Sequence, residues 1–299
     1  MESTIHEPVL LDEVVEFLRA KEGGMYLDCT LGGGGHTDAL LKANDKNYVI
    51  ALDRDPQAIA RAQNKFLGHE RLTIVQGKFS DVERICKGQI FSGILADLGM
   101  STDQLEADRG FSFSDTNSFD MRMNPEEFLT AEYVVNNYDQ GKLFKIFRQG
   151  GVGPEARRYA NAIVAARPVE SARQLAGIIA GCTSEFSSNH PATVVFQAIR
   201  IEVNSEFSEI ENLLEAAPRL VASNSRFAVI CFHSIEDELI TKKFRKWAGS
   251  EAAPAWMGRR DSSVKGKLIT KKAVTPTEAE KQRNPASRSA RLRVFEFDA

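Results

Sequence analysis

Between residues 23 and 101 short apolar runs and helical stretches take turns, and this alternation limits the fold more than any other feature. "GGMYLDCTLGGGG", "NYVIALDRD", "LTIVQGKF" and "FSGILADLGMS" each hold a strand-like run. Between them lie "HTDALLKA", "DPQAIARAQNKFL" and "SDVERICK", which read as helices. The second of these starts well, with Asp55 placed to cap and Pro56 at the first helical position. Strands separated by helices pair in parallel and bury both faces of one sheet. The expected class is therefore α/β, a doubly wound, mostly parallel Rossmann-like sheet.

The alternation then stops. "FLTAEYVVNN", "QGKLFKIFRQ", "PEARRYANAIVAARP", "SARQLAGIIAGC" and "PATVVFQAIRIEVNSEFSEIENLLEAA" all carry helical periodicity. Strand character resumes at "RFAVICFHS", followed by the helical "IEDELITKKFRKWA". "KLITK" and "RLRVFEF" alternate as a terminal antiparallel pair would, and 249–265 reads as a mobile loop. The expected domains are 1–103 with 209–299, carrying the sheet, and an inserted all-helical domain at 104–208.

The first strand runs into four glycines, Gly32–Gly35. Ordering consecutive glycines is entropically costly, so a bare backbone must serve something there. In an open parallel sheet ligands bind at the carboxyl ends of the strands, beside helix N-termini. Asp53 ends the second strand, where a carboxylate can accept from both ribose hydroxyls of an adenosine. Nicotinamide dinucleotides and S-adenosylmethionine both suit this pair. The dinucleotide fingerprint needs a third glycine where this chain has Thr37, or in the next register Asp38. Asp28, just before the loop, would repel a pyrophosphate and suits a cationic ligand such as a sulfonium. Asp97 ends the fourth strand, where amino-group methyltransferases present a carboxylate to the target amine.

Charge adds a partner. The net charge is −3, yet Lys242–Arg293 holds 15 basic residues against 4 acidic ones, and Lys142–Arg173 holds 7 against 2. Such segregation suits a polyanion. Arg288, Arg291 and Arg293 are expected to meet phosphates on one side of the site, and Arg157, Arg158 and Arg167 on the other. In "FHSIED", Ser234 with Asp237 fits a helix capping box, and His233 is placed to line the target pocket. Cys29, Cys86, Cys182 and Cys231 are widely spaced, and the five histidines lack metal-ligand spacing, so neither zinc nor a disulfide framework is expected. No apolar run nears the ~20 residues that span a bilayer. The N-terminal stretch lacks the marks of a signal peptide, so the expected address is the cytoplasm.

With these residues assembled, the chain resembles the ribosomal RNA small subunit methyltransferase H family along almost its whole length. The resemblance rests on "HEPVLLDE", "DCTLGGGGHT", "ALDRDPQAI", "GKFSD", "DLGMSTDQL", "RGFSF", "DMRMNP", "HPATVVFQAIRIEVNSE", "FHSIEDELITKKF" and "NPASRSARLRV", in that order. It implies a class I methyltransferase sheet that uses S-adenosylmethionine for N4-methylation of a cytidine, position 1402, in the decoding centre of 16S rRNA. The partner it implies is 16S rRNA or the small ribosomal subunit, with no membrane; the oligomeric state stays open, a dimer included. Cofactor contacts carry over to Gly34, Gly35, His36, Asp53, Phe79, Asp97 and Gln104, with Asp97 catalytic. Arg109, Phe111, Arg122, His233, Arg288 and Arg291 are the expected pocket or RNA contacts. The chain departs from the family pattern at Gly33, at "TNSF" before Asp120, and at Ala286. The other functions open to these residues are an amino-methyltransferase on another nucleic acid or a protein, a nicotinamide-dependent oxidoreductase, and a non-catalytic RNA-binding or assembly factor.

Overall fold

The computed structural model describes residues 7–101, 104–105, 108–113, 115–116, 119–182, 190–249 and 264–298. The chain divides into two compact units, Met1–Gly99 with Glu209–Ala299, and Met100–Ser208.

The first unit is built on seven strands: β1 (Met25–Asp28), β2 (Tyr48–Asp53), β3 (Leu72–Gln76), β4 (Phe91–Asp97), β5 (Val221–Cys231), β6 (Gly266–Leu268) and β7 (Arg291–Phe297). Their order is β3-β2-β1-β4-β5-β7-β6. The first five pair in parallel, and β7 pairs antiparallel with both β5 and β6. The chain reverses direction across the sheet between β1 and β4, so the crevice outside their carboxyl ends is where a ligand fits. Asp28, Asp53 and Asp97 each terminate one of the strands around that crevice.

In the first stretch of this unit the α-helices are α1 (Leu11–Phe17), α2 (Gly35–Ala43), α3 (Pro56–Lys65) and the single turn α4 (Val82–Ile85). Asp55 caps α3 by accepting from the Gln57 N–H at 2.9 Å, with Pro56 at the first position as the sequence indicates. One sheet face packs Leu95, Ala228, Ile230, Leu292 and Val294 with Val14 of α1 and Leu40 of α2. Strand residues alternate faces, so Phe227 and Phe295 point the other way, where each ring packs on Phe244.

The second unit is helical: α5 (Ala131–Asn137), α6 (Gln140–Gln149), α7 (Ala156–Ala165), α8 (Ala172–Gly181) and α9 (Ala192–Asn204). Leu143, Phe147, Ile163, Leu175, Val195 and Ile199 are among its fully or nearly fully buried core residues. The long helical run at 191–217 is broken. Ser205 takes a left-handed conformation (φ 51°), and α10 (Glu206–Ala216) begins after it. Arg200 fastens this corner through a two-pronged pair to Glu206 at 2.8 and 3.0 Å. Beyond β5 lie α11 (Ser234–Trp247) and α12 (Glu278–Arg283). The loop expected at 249–265 falls mostly outside the described residues.

Candidate active site

The glycine loop is shaped by conformation and by close approach. Gly34 has φ +71°, and a Cβ there would lie 2.6 Å from the Phe66 ring. A Cβ on Gly35 would meet Pro8 at 2.4 Å. Side chains at either position would push the loop off its backing. At Gly32 (φ +49°) a Cβ would approach only the Thr30 carbonyl, at 4.0 Å, so this part of the loop faces open space.

Asp53 ties the loop to β2. Its Oδ2 accepts from the Gly32 N–H at 2.8 Å and its Oδ1 from the Asp55 N–H at 2.9 Å. Burial pushes this carboxyl up to about 6, with Asp55 and Asp28 adding to the rise against those two bonds. Each oxygen keeps a lone pair for a ribose hydroxyl. A hydroxyl donor favours the ionised form, so donor affinity is expected to fall as pH drops through 6, and to stay flat there in Asp53→Asn. Calorimetric titration from pH 5 to 8 checks this.

Asp28 is placed differently from the sequence expectation. It is fully buried. Its Oδ2 accepts from the Thr37 hydroxyl at 2.6 Å and its Oδ1 from the Thr30 N–H at 3.1 Å. It therefore braces the loop from beneath and does not face a cationic ligand. The Thr30 hydroxyl in turn accepts from the Asp97 N–H at 2.7 Å, which fixes the end of β4. No local pattern marks Thr30 and Thr37 as braces; only their hydroxyls flanking the loop signal it.

Asp97 carries the most telling atom. Its Oδ1 is buried and has no hydrogen-bond partner among the described residues. Its Oδ2 lies 3.7 Å from His36 Nδ1. Burial, together with Asp28 and Glu236, holds the carboxyl well above the usual range. Leaving a buried acceptor unpaired costs roughly 1–3 kcal/mol, which a ligand donor would recover. His36 is buried and places Nε2 3.0 Å from the Val9 carbonyl, so its ring faces the protein. Phe79 is half-buried in the 3₁₀ turn after β3, beyond Asp53.

These features fit S-adenosylmethionine. The open glycine loop and the α2 N-terminus suit its amino-acid carboxylate. Asp53 suits the ribose and Phe79 the adenine, while Asp97 leaves an acceptor for an amine. Gln104 belongs to the second unit, where its Oε1 accepts from the Ser101 N–H at 3.1 Å and its own N–H donates to the Ser101 hydroxyl.

Several expected nucleic-acid contacts serve the fold. Arg109 donates to the carbonyls of Arg122 and Met123, the latter at 2.8 Å. Arg122 grips Asp120 with two bonds, at 2.7 and 2.6 Å, and the Glu127 carbonyl with a third. Phe111 is buried in the core of the helical unit. Arg167 donates to the carbonyls of Val135 and Tyr138. Arg293 is committed to Asp237, at 2.6 and 2.9 Å. A guanidinium already saturated by carbonyls or a carboxylate is a brace, and spacing alone cannot distinguish it from a phosphate ligand. Arg288 and Arg291 stay exposed, although Arg291 also lies 3.4 Å from Asp237.

The "FHSIED" expectation shifts by one residue. His233, not Ser234, is the N-cap of α11: its Nδ1 accepts from the Glu236 N–H at 3.3 Å. Glu236 accepts in return from the N–H groups of Phe232 and His233, at 2.9 and 3.2 Å. A histidine can fill a capping role that normally goes to Ser, Thr, Asp or Asn, and that type preference points to Ser234. Asp237 is left to Arg293.

Comparison with known proteins gives one family description. The model described as "MraW methylase family" matches residues 3–298. A "Ribosomal RNA small subunit methyltransferase H" from a Nitratiruptor species is 41% identical over 298 residues, spanning 98% of both chains. Proteins of the same description from Wolinella succinogenes and Halothermothrix orenii are 39% and 38% identical. They span 98% and 97% of this chain, and 98% of their own lengths.

Proposed function

This chain belongs to the MraW methylase family, and on that premise we propose that it methylates the N4 amine of a cytidine in the decoding centre of 16S rRNA, at position 1402. The methyl donor is S-adenosylmethionine, which supplies an electrophilic methyl carbon when bound. Gly32–Gly35, Asp53 and Phe79 hold it. The observation that carries the reading is the buried Asp97 Oδ1 at the end of β4, which has no hydrogen-bond partner among the described residues. The lone pair of a cytosine amine is delocalised into the ring, so the amine is a poor nucleophile. An acceptor on one of its hydrogens localises that pair and takes the proton as the new bond forms. Fixing the amine in line with the donor supplies most of the remaining rate. Family membership removes the nicotinamide oxidoreductase from consideration.

A cytidine in folded RNA must be turned out of its stack to reach such a site. Within the helical unit Phe128 is wholly exposed, Tyr133 is 53% exposed, and Lys142 Nζ sits 3.4 Å above the largely buried Tyr138 ring. Exposed aromatics with cations suit unpaired bases. Arg288 and Arg291 supply phosphate contacts from the first unit. The double variant Arg288→Glu/Arg291→Glu is expected to weaken RNA binding and lower the salt slope by about 2, with calorimetric donor affinity unchanged. The function itself is tested with labelled S-adenosylmethionine and small subunits from cells lacking the gene. Label mapped to N4 of that cytidine supports the proposal; label on another nucleotide or only on protein overturns it. The cytoplasm is the compartment in which this substrate is met. No described helix is long and apolar enough to cross a membrane.

A further inference from the structure

Each glycine of the loop meets a residue from outside it. Asp53 takes the Gly32 N–H, the Phe66 ring backs Gly34 and Pro8 backs Gly35. The stretch bearing Pro8 is fastened in turn by Glu280, whose Oε1 accepts from the Leu10 N–H at 2.8 Å, across 270 residues. Gly33 is held by Lys65, the last residue of α3, whose Nζ donates to the Gly33 carbonyl at 2.8 Å. The N–H of the same peptide unit, that of Gly34, donates to the Leu31 carbonyl at 2.6 Å. A peptide unit is planar and trans, so its carbonyl and N–H point opposite ways. These two bonds therefore fix both ends of one plane. Between two glycines such a plane turns over at little steric cost. Turned over, it would face the Gly33 carbonyl to the Leu31 carbonyl and the Gly34 N–H to the Lys65 ammonium, and both bonds would be lost.

The charge on Lys65 matters as much as its bond. Asp28, Asp53 and Asp97 end the strands around the crevice. Such a setting suits the sulfonium and ammonium of S-adenosylmethionine and opposes its carboxylate. Asp38, in the first turn of α2, adds a further acid, which Lys42 offsets at 2.6 Å. The α2 N-terminus brings only partial positive charge to the loop. Lys65 brings a whole one, and the Gly33 carbonyl takes one of the three donors on its ammonium. A lysine in the last turn of a helix ordinarily answers that helix's own carbonyls. Here the side chain leaves α3 and reaches a loop 32 residues away.

We propose that Lys65 is a specificity-determining residue for the amino-acid end of the methyl donor: it locks the Gly33–Gly34 peptide and sets a cation beside the seat of the donor carboxylate. This rests on the reading of the glycine loop as the seat of that end. Lys65 takes no part in bond making and acts on donor binding alone.

The test is calorimetry on the full chain with two ligands, S-adenosylmethionine and its decarboxylated form, which keeps the sulfonium, ribose and adenine. Lys65→Met keeps the apolar stem and removes the charge. It is expected to weaken S-adenosylmethionine roughly tenfold and the decarboxylated form less than about twofold, at an unchanged melting temperature. Lys65→Arg restores a cation and should return to within about threefold of wild type. The side chain is exposed, so the wild-type preference for the carboxylate-bearing donor should also shrink as salt rises from about 50 to about 500 mM. The proposal is overturned if Lys65→Met weakens both ligands by the same factor, as a purely structural lysine would, if it weakens neither, or if Lys65→Arg binds as poorly as Lys65→Met. Failure of the underlying reading looks different: the wild-type protein itself would bind the two ligands equally well, at low salt as at high.

Discussion

Asp97→Asn is expected to slow methyl transfer by roughly 10²–10⁴-fold while changing donor affinity only a few-fold. The amide has the shape of the carboxyl and keeps an oxygen that can accept from the amine. What it cannot do is receive the amine proton. The loss should therefore appear in single-turnover rate and not in calorimetric affinity, and it should persist at saturating RNA. The raised acidity range of Asp97 comes from burial and from Asp28 and Glu236, so the wild-type rate should also respond to pH in a range where an ordinary aspartate is silent. A rate within threefold of wild type would remove Asp97 from the chemistry.

Asp53→Ala is expected to cost about 100-fold in donor affinity, with little change in melting temperature. Hydrogen bonds to a charged acceptor contribute about 1.5–3 kcal/mol each, and this variant removes those to the ribose as well as the anchors of Gly32 and Asp55. Stability behaves otherwise because of the sign of the shift. The folded carboxyl titrates near 6, above its unfolded value. Its favourable contribution is complete below the unfolded range and is lost as pH rises through about 6. At neutral pH the ionised group is thus a cost to the fold, and removing it offsets the lost anchors. Calorimetry and thermal denaturation on one sample separate the two effects. Parallel losses in both would show that Asp53 acts only as a scaffold.

The features legible in the sequence were those fixed by local chemistry. The glycine run, the carboxylates that end β2 and β4, and the Asp55–Pro56 start of α3 each follow from a few adjacent residues. Features set by distant contacts were not legible. Nothing near Asp28 says that Thr30 and Thr37 consume its oxygens. Nothing near Arg109, Arg122 or Arg293 says that a carbonyl or a carboxylate is waiting for the guanidinium. Ser205 breaks a helix whose periodicity continues through it, because the corner is made by Arg200 and Glu206 acting together. His233 and Glu236 form a cap that residue-type preference assigns one position later. Glu280 lies 270 residues from the amide it holds, and no window on the sequence joins them.

The sheet draws on two stretches of chain, and the pairing of β4 with β5 joins Asp97 to Ile230. The helical unit is continuous from Met100 to Ser208. On a translating ribosome the helices are therefore all made before β5 exists to receive β4, and β5 waits in turn for β7. Until then β4 presents an open hydrogen-bonding edge, the kind of surface that pairs with the wrong partner. The cofactor crevice, which needs both stretches, is a late product of synthesis, and a chain halted within the helical unit would carry Asp53 and the glycine loop on an unfinished sheet.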